Sequence, residues 1–291
     1  MRHSYSFLPL LLVLDLAVPV AYAQRGLDAG VLEIEEGVFA FQYGGYQSMF
    51  VVAPEGVVVT DPISANAAVA YLAEIRKITS APIRYVVYSH HHYDHIEGGS
   101  VFKNAGAVFV AHRNAAIQLE RLSNPAVVPP DQFVDEQTSL VVGSTQVDLH
   151  YFGRNHSDNS LVISVPDKRV IYAADWLPVR ELIWRGIFDS YIDEWFEGID
   201  RVLALDWDKL VVSHVRAGNP KGWGDKEDIR VFKQYFTDLK EVVRVAHQEG
   251  KCPDRAVQEV RLPQYESWFN YESTLPLNVD RMCLYWRNGW Q

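Results

Sequence analysis

The stretch Ser89-His90-His91-His92-Tyr93-Asp94-His95 limits what this chain can fold into more than any other feature, because it crowds four imidazoles and a carboxylate into seven residues. Just ahead of it, Ile83-Arg84-Tyr85-Val86-Val87-Tyr88 is β-branched and aromatic and reads as a buried strand, so the polar groups sit where a strand ends. Side chains alternate along a strand, which gives His90 and His92 one direction and His91 the other. The loop beyond can fold Asp94 and His95 back toward the same point, supplying two nitrogens for one cation and a carboxylate and a nitrogen for a second. A histidine-rich surface tract that binds metal adventitiously is the plainer alternative, but it has no reason to follow a strand or to alternate.

Turn signals at Gly44-Gly45 and Pro54-Glu55-Gly56 separate β-rich runs over 31–37, 38–43, 49–53 and 57–61. Behind Ser64, Ala68, Tyr71, Leu72, Ile75 and Ile78 recur at helical spacing and predict a helix over 65–78. A short helix to Asn104, a strand over 107–111 and a helix over 114–122 follow the histidines. The Pro-rich residues 123–136 lack periodicity and read as a loop bordering the site. Strands are expected over 139–142, 146–152, 160–165 and 169–173, then a helix capped by Ser190 and a strand over 209–213. A long helix opens at Asp225, runs to about His247 and stops at Gly250, with Ile229, Phe232, Phe236, Leu239 and Val243 on one stripe. Two half-sheets, each followed by helices, predict an α/β chain built as a four-layer αββα sandwich rather than a doubly wound sheet. Trp268, Tyr271, Tyr285, Trp286 and Trp290 near the end are expected to pack against the core.

Residues 1–23 read as a secretory signal: Arg2 supplies the positive end, Phe7 to Val20 is apolar, and Ala21-Tyr22-Ala23 has the form of a cleavage site. The apolar stretch is short for a membrane span, so an exported, periplasmic protein without stable membrane insertion of the mature chain is expected. The domain expectation is a catalytic domain over 24–222 and a C-terminal helical extension, 223–291, packed on it. The formal charge of −10, with no basic run, argues against nucleic acid as a partner. Cys252 and Cys283 are an even pair far from the histidines; a disulfide and two buried thiols both remain open.

His90-x-His92-x-Asp94-His95 resembles the signature of the metallo-β-lactamase-fold hydrolases, and four further motifs match that family in order. They are Asp61 in Val58-Val59-Thr60-Asp61-Pro62, His156 in Gly153-Arg154-Asn155-His156-Ser157, Asp175 in Tyr172-Ala173-Ala174-Asp175, and His214 in Val211-Val212-Ser213-His214. The resemblance covers roughly residues 30 to 220. It implies that His90, His92 and His156 hold one ion, that Asp94, His95 and His214 hold a second, and that Asp175 bridges them. Asp61 would stand behind a ligand imidazole and fix it by hydrogen bonding. Two Zn²⁺ ions are expected, with iron or manganese accepted because a bridging carboxylate replaces the Cys of several β-lactamase members.

Three imidazoles leave a tetrahedral ion one open position, the condition for catalysis rather than structure alone. The resemblance therefore implies a hydrolase in which a hydroxide shared by the ions cleaves an ester, lactone or amide, β-lactams included, with Asp94 orienting the nucleophile and relaying its proton. An iron-containing redox or oxygenase member, and an accessory protein with a structural metal site, are the alternatives. Asn159 stands where many members place Gly; Asn tolerates a left-handed backbone. The basic residue expected soon after the bridging ligand is displaced, Pro178 standing near its place. Arg180, Arg216 and Lys221 are the candidates for an anionic group of a small-molecule substrate, and Trp176 and Trp184 for an apolar pocket wall. Specificity is expected in residues 123–136, 176–189 and 216–224.

Overall fold

The computed structural model describes residues 29–216, 219 and 221–289; the expected signal sequence and Trp290 lie outside them. The first sheet joins β1 (Ala29–Glu35), β2 (Val38–Tyr43), β3 (Tyr46–Ala53), β4 (Gly56–Thr60), β5 (Ile83–Val87), β6 (Val108–His112) and β7 (Gln132–Val134) in sequence order. β1 to β4 form an antiparallel meander, and β4 to β7 run parallel. The parallel crossovers carry α1 (Ala65–Ile78), α2 (Tyr93–Ile96), α3 (Ser100–Asn104) and α4 (Arg113–Leu122). α1 has the bounds its periodicity predicts, with the Ser64 side chain accepting from the Ala67 amide.

The second sheet repeats the plan. β8 (Gln137–Val142), β9 (Thr145–Tyr151), β10 (Leu161–Val165) and β11 (Val170–Ala173) form a meander. α5 (Ile192–Ala204) then crosses over to β12 (Lys209–Val212), parallel to β11, and β13 (Trp223–Gly224) closes the edge. The sheet thus continues two residues past the boundary drawn at 222. α6 (Lys226–Gln248), α7 (Asp254–Glu259) and α8 (Tyr271–Asn288) complete the described chain.

Three apolar cores separate four layers, giving the αββα sandwich. Val58, Val87 and Met49 of the first sheet meet Leu149, Ile163, Tyr172 and Val211 of the second in the middle. Strand alternation sends the neighbours Val57, Val59 and Val86 outward against Ala68, Tyr71 and Ile75 of α1. Likewise Ile171, Leu210 and Val212 face Trp195 of α5, Phe232 and Phe236 of α6, and Val279 and Met282 of α8. Strands buried on both faces explain apolar runs such as Val57-Val58-Val59. Trp268 and Tyr271 belong to the outer core, and Tyr285 and Trp286 pack against it. A disulfide joins Cys252 to Cys283, tying the segment after α6 to α8.

Two local expectations are corrected. Residues 123–136 are not all loop: β7 pairs with β6 and buries Val134, a strand too short to show period-two alternation. Ser190 does not cap α5; Tyr191 holds that position, and the Ser190 hydroxyl donates to the Phe188 carbonyl.

Candidate metal centre

Topology alone brings the polar motifs to one rim. β4 and β5 are parallel, as are β11 and β12, and β9 runs with β11 because each is antiparallel to β10. Their carboxyl ends therefore share one edge of the sandwich. Asp61 follows β4, His90 to His95 follow β5, His156 follows β9, Asp175 follows β11 and His214 follows β12.

Asp175 stands at the centre of the convergence. Its Oδ2 lies 3.2 Å from His95 Nε2, 3.5 Å from His156 Nε2 and 3.7 Å from His90 Nε2, and its Oδ1 lies 3.0 Å from His214 Nε2. The His92 Nδ1 and His156 Nε2 atoms approach to 3.1 Å, and Asp94 Oδ2 is 3.7 Å from His95 Nε2. Three donor groups result among the described residues, His90–His92–His156–Asp175, Asp94–His95–His214 and, sharing His92, His91–His92–Asp189, the donor atoms of each lying within 4.8 Å of one another.

These side chains fit a cation. His90 Nε2, both ring nitrogens of His95 and His214 Nδ1 are buried without a hydrogen-bond partner among the described residues. An unpaired buried polar atom costs about 1–3 kcal/mol, and two of these, His90 Nε2 and His95 Nε2, face the same Asp175 carboxylate, where coordination would satisfy them. Imidazole nitrogen with carboxylate oxygen suits zinc, iron or manganese, and the family fold with this His/Asp cluster implies a divalent metal. Burial pushes His90 well below the usual histidine range and His156 down to about 4, which leaves both rings neutral and able to coordinate. His95 is opposite: burial works against its charge, but Asp175, Asp61 and Asp94 together outweigh burial and raise it well above the usual range. Burial likewise opposes ionisation of Asp175, and the facing His95 and His214 hold its carboxyl well below the ordinary value. In the metal-free protein Asp175 and His95 thus form an ion pair whose proton a metal must displace.

The supports behind the rim are strand-borne. Asp61, fully buried, accepts from the Ser89 amide at 2.8 Å, the Ser89 hydroxyl at 2.6 Å and the Tyr172 hydroxyl at 2.8 Å. Its Oδ2 is 3.5 Å from His95 Nδ1, and it reaches His90 through Ser89, whose Oγ is 2.9 Å from His90 Nδ1. Ser213 donates to Asp175 Oδ1 at 2.6 Å while accepting from the Asp175 amide at 3.0 Å. Both aspartates have positive φ, 31° for Asp61 and 63° for Asp175, a conformation that L-residues hold only when their surroundings impose it.

Two contacts had no reading in the sequence. Asp189 Oδ2 is 3.3 Å from His92 Nε2, reaching in from an irregular segment that gives no periodic signal. Asn159 is not the left-handed residue expected: it is fully buried, and its amide oxygen accepts from the His91 backbone at 3.0 Å while its nitrogen donates to His91 Nδ1 at 2.9 Å. His91 is thereby turned away from Asp175, its ring lying beside that of His92 with centroids 4.7 Å apart.

A recess enclosing about 650 Å³ of void, open to solvent, lies against Asp94, Asp175 and His214. Tyr46, Leu177, Pro178, Leu182 and Trp184 form its apolar wall, with Glu181 and Arg216 also lining it. Of the proposed substrate contacts, Arg216 and Trp184 are placed there. Trp176 is fully buried in the outer core beneath α5, where its carbonyl accepts from the Trp195 indole. Arg180 points outward, 66% exposed and 3.7 Å from Asp228, and the Lys221 ammonium lies over the Trp223 ring. Residues 123–130 contribute to a separate hollow with α4.

Comparison with known proteins agrees with the architecture. The family described as the metallo-beta-lactamase superfamily matches residues 43–214. A metallo-beta-lactamase from Pontibacter korlensis superposes with a TM-score of 0.62 at 20% identity, covering 72% of this chain and all of that one, a likeness of fold. The 2,4-dinitroanisole O-demethylase subunit alpha of Nocardioides sp. (strain JS1661) is 22% identical over 208 residues, 69% of this chain and 62% of that protein. A linear primary-alkylsulfatase of Pseudomonas sp. (strain ATCC 19151) is 24% identical over 275 residues, 73% of this chain and 49% of that protein. The chain thus spans about half to three-fifths of the length of these relatives. By its ordered motifs, its sandwich and the family match over more than half of its length, the chain belongs to the metallo-beta-lactamase superfamily.

Proposed function

We propose that this protein is a secreted dinuclear metal-dependent hydrolase that cleaves an ester, lactone or amide bond of a small molecule. The observation that carries this reading is the convergence of the His90, His95, His156 and His214 Nε2 atoms on the Asp175 carboxylate, 3.0–3.7 Å away, beside an open recess. His90, His92 and His156 would hold one ion, Asp94, His95 and His214 the other, with Asp175 between them. When bound, such a pair brings the pKa of coordinated water to near ~7 and polarises the electrophile, with zinc the first choice.

The chain's own groups do the rest. Asp94 is half exposed and lines the recess, so its carboxylate is the one placed to orient the attacking water and accept its proton. Asp61, through Ser89 and beside His95, holds two rings in the tautomers that coordinate. The apolar wall excludes water from one side of the reacting bond. Assay of metal-verified protein on chromogenic esters, lactones, phosphodiesters and a cephalosporin tests the reading. Turnover of an ester, lactone or amide, lost by at least ~100-fold in Asp94→Ala, supports it. Retained turnover in that variant with its metals in place counts against it.

A further inference from the structure

We propose that Glu181 makes the recess select uncharged substrates, by cancelling the charge of Arg216. This rests on the hydrolase reading and names the substrate class it would serve: esters or lactones whose group beside the reacting bond is neutral and apolar.

Arg216 is the one cationic side chain among the described residues lining the recess. It is already engaged on three sides. Its Nε lies 3.3 Å from Glu181 Oε1, its Nη1 donates to the Gly45 carbonyl at 3.5 Å, and its guanidinium lies over the Phe269 ring at 5.5 Å. The pair is largely enclosed, the side chains being 12% exposed for Glu181 and 21% for Arg216. A substrate carboxylate, sulfate or phosphate could claim Arg216 only by evicting Glu181 and leaving that carboxylate buried without a counter-charge, which is strongly unfavourable. The Glu181 main chain is fixed at the recess by a bridge with Phe269, whose amide donates to the Arg180 carbonyl at 3.0 Å. What remains for a ligand to touch is Leu177, Pro178, Leu182, Trp184 and Tyr46. An uncharged surface of such groups beside the reacting centre suits an acyl or alkyl chain.

The experiment compares two aryl esters of matched length, one with a terminal methyl and one with a terminal carboxylate, on metal-loaded wild type, Glu181→Gln, Arg216→Gln and the double variant. Hexanamide and adipic acid monoamide are titrated calorimetrically against the same four proteins, so that selectivity is read without turnover. Wild type is expected to favour the neutral member of each pair by about tenfold or more. Glu181→Gln should raise the anionic-to-neutral ratio about tenfold, Arg216→Gln should lower it, and Glu181→Gln should have little effect in the Arg216→Gln background. The Arg216→Gln ratio decides the matter if Glu181→Gln fails to fold. An unchanged ratio in Glu181→Gln, an equal rise without Arg216, or a ratio that does not fall in Arg216→Gln overturns the proposal. If no ester is turned over but the binding ratios shift as stated, the hydrolase reading fails and the selectivity assignment stands. If esters are turned over and the ratios do not shift, the reverse holds.

Discussion

The metal-facing rim and the recess wall beside it are within reach of one another and are built by different means. The rim is made of strand ends: parallel pairing sets their positions, and Asp61, Ser89, Tyr172 and Ser213 lock them with bonds of 2.6–3.0 Å. The wall is an irregular segment in which Arg180, Arg185, Ile187 and Asp189 all have positive φ, so no backbone ladder holds it. The C-terminal helices hold it instead. Asn278 of α8, fully buried, donates to the carbonyls of Ile183, at 2.8 Å, and Arg185, while the Tyr235 hydroxyl of α6 donates to its amide oxygen at 2.7 Å. The difference teaches that chemistry and selectivity are supported separately in this molecule, the first by the two sheets and the second by α6 and α8.

The largest effect should come from breaking the rim. His90→Ala is expected to abolish turnover on any substrate while circular dichroism shows the fold intact, because the ring faces the metal space and its backbone lies in the bend beyond β5, outside the sheet's hydrogen bonding. Residual activity within tenfold of wild type would contradict that. Removing the disulfide attacks the wall's support from a distance. Cys252→Ser/Cys283→Ser opens a loop of 31-residue separation and should lower unfolding stability by about 2–4 kcal/mol. Metal stoichiometry should be unchanged, as elemental analysis would show. Asn278→Ala is more local: it leaves two carbonyls and a tyrosine hydroxyl unpaired at a cost of about 1–3 kcal/mol. It should raise KM more than it lowers kcat, and an equal loss of bound metal would erase the distinction between the regions.

The smallest effect concerns pH in the metal-free protein. An unfolded histidine titrates near ~6.5, whereas burial holds His156 at about 4 and His90 well below its usual value. Below that point the unfolded chain binds more protons, so stability should fall as pH drops from ~6.5 toward 4. His95 is raised by Asp175, so above ~6.5 the folded state binds more protons, and stability should fall as pH rises through the His95 transition. Melting temperature in a chelator should therefore peak near ~6.5. Saturating metal should move the peak upward, because the cation replaces the His95 proton. A peak that stays put would mean the metal bypasses that ring.

The contrast also governs what could be read from the chain. Rim residues announce themselves because metal-ligating side chains are rare at strand ends, and alternation separates His90 and His92 from His91 without tertiary information. The pairing of the strands explains why Asp61, His156, Asp175 and His214 reach the same edge, and these four are legible only through their ordered match to the family's motifs. The wall is not. Trp176 and Trp184 look equivalent in sequence, yet one sits beneath α5 and the other at the recess, because irregular backbone has no period to fix side-chain direction. Asp189 was invisible for the same reason, its partner lying 97 residues away, and Asn278, although on a regular helix, gives no signal because its partner lies 95 residues away. Arg216 was legible as a nearby cation, but its cancellation by Glu181 depends on a bridge to Phe269 that no local pattern encodes.

The central claim is that Asp175 gathers the rim's nitrogens around metal, and elemental analysis of wild type beside Asp175→Ala tests it most directly. The account predicts two divalent ions per wild-type chain and loss of at least one in the variant, with the fold retained. Wild type that holds no divalent metal after supplementation, or a variant that keeps both ions at unchanged affinity, would contradict it.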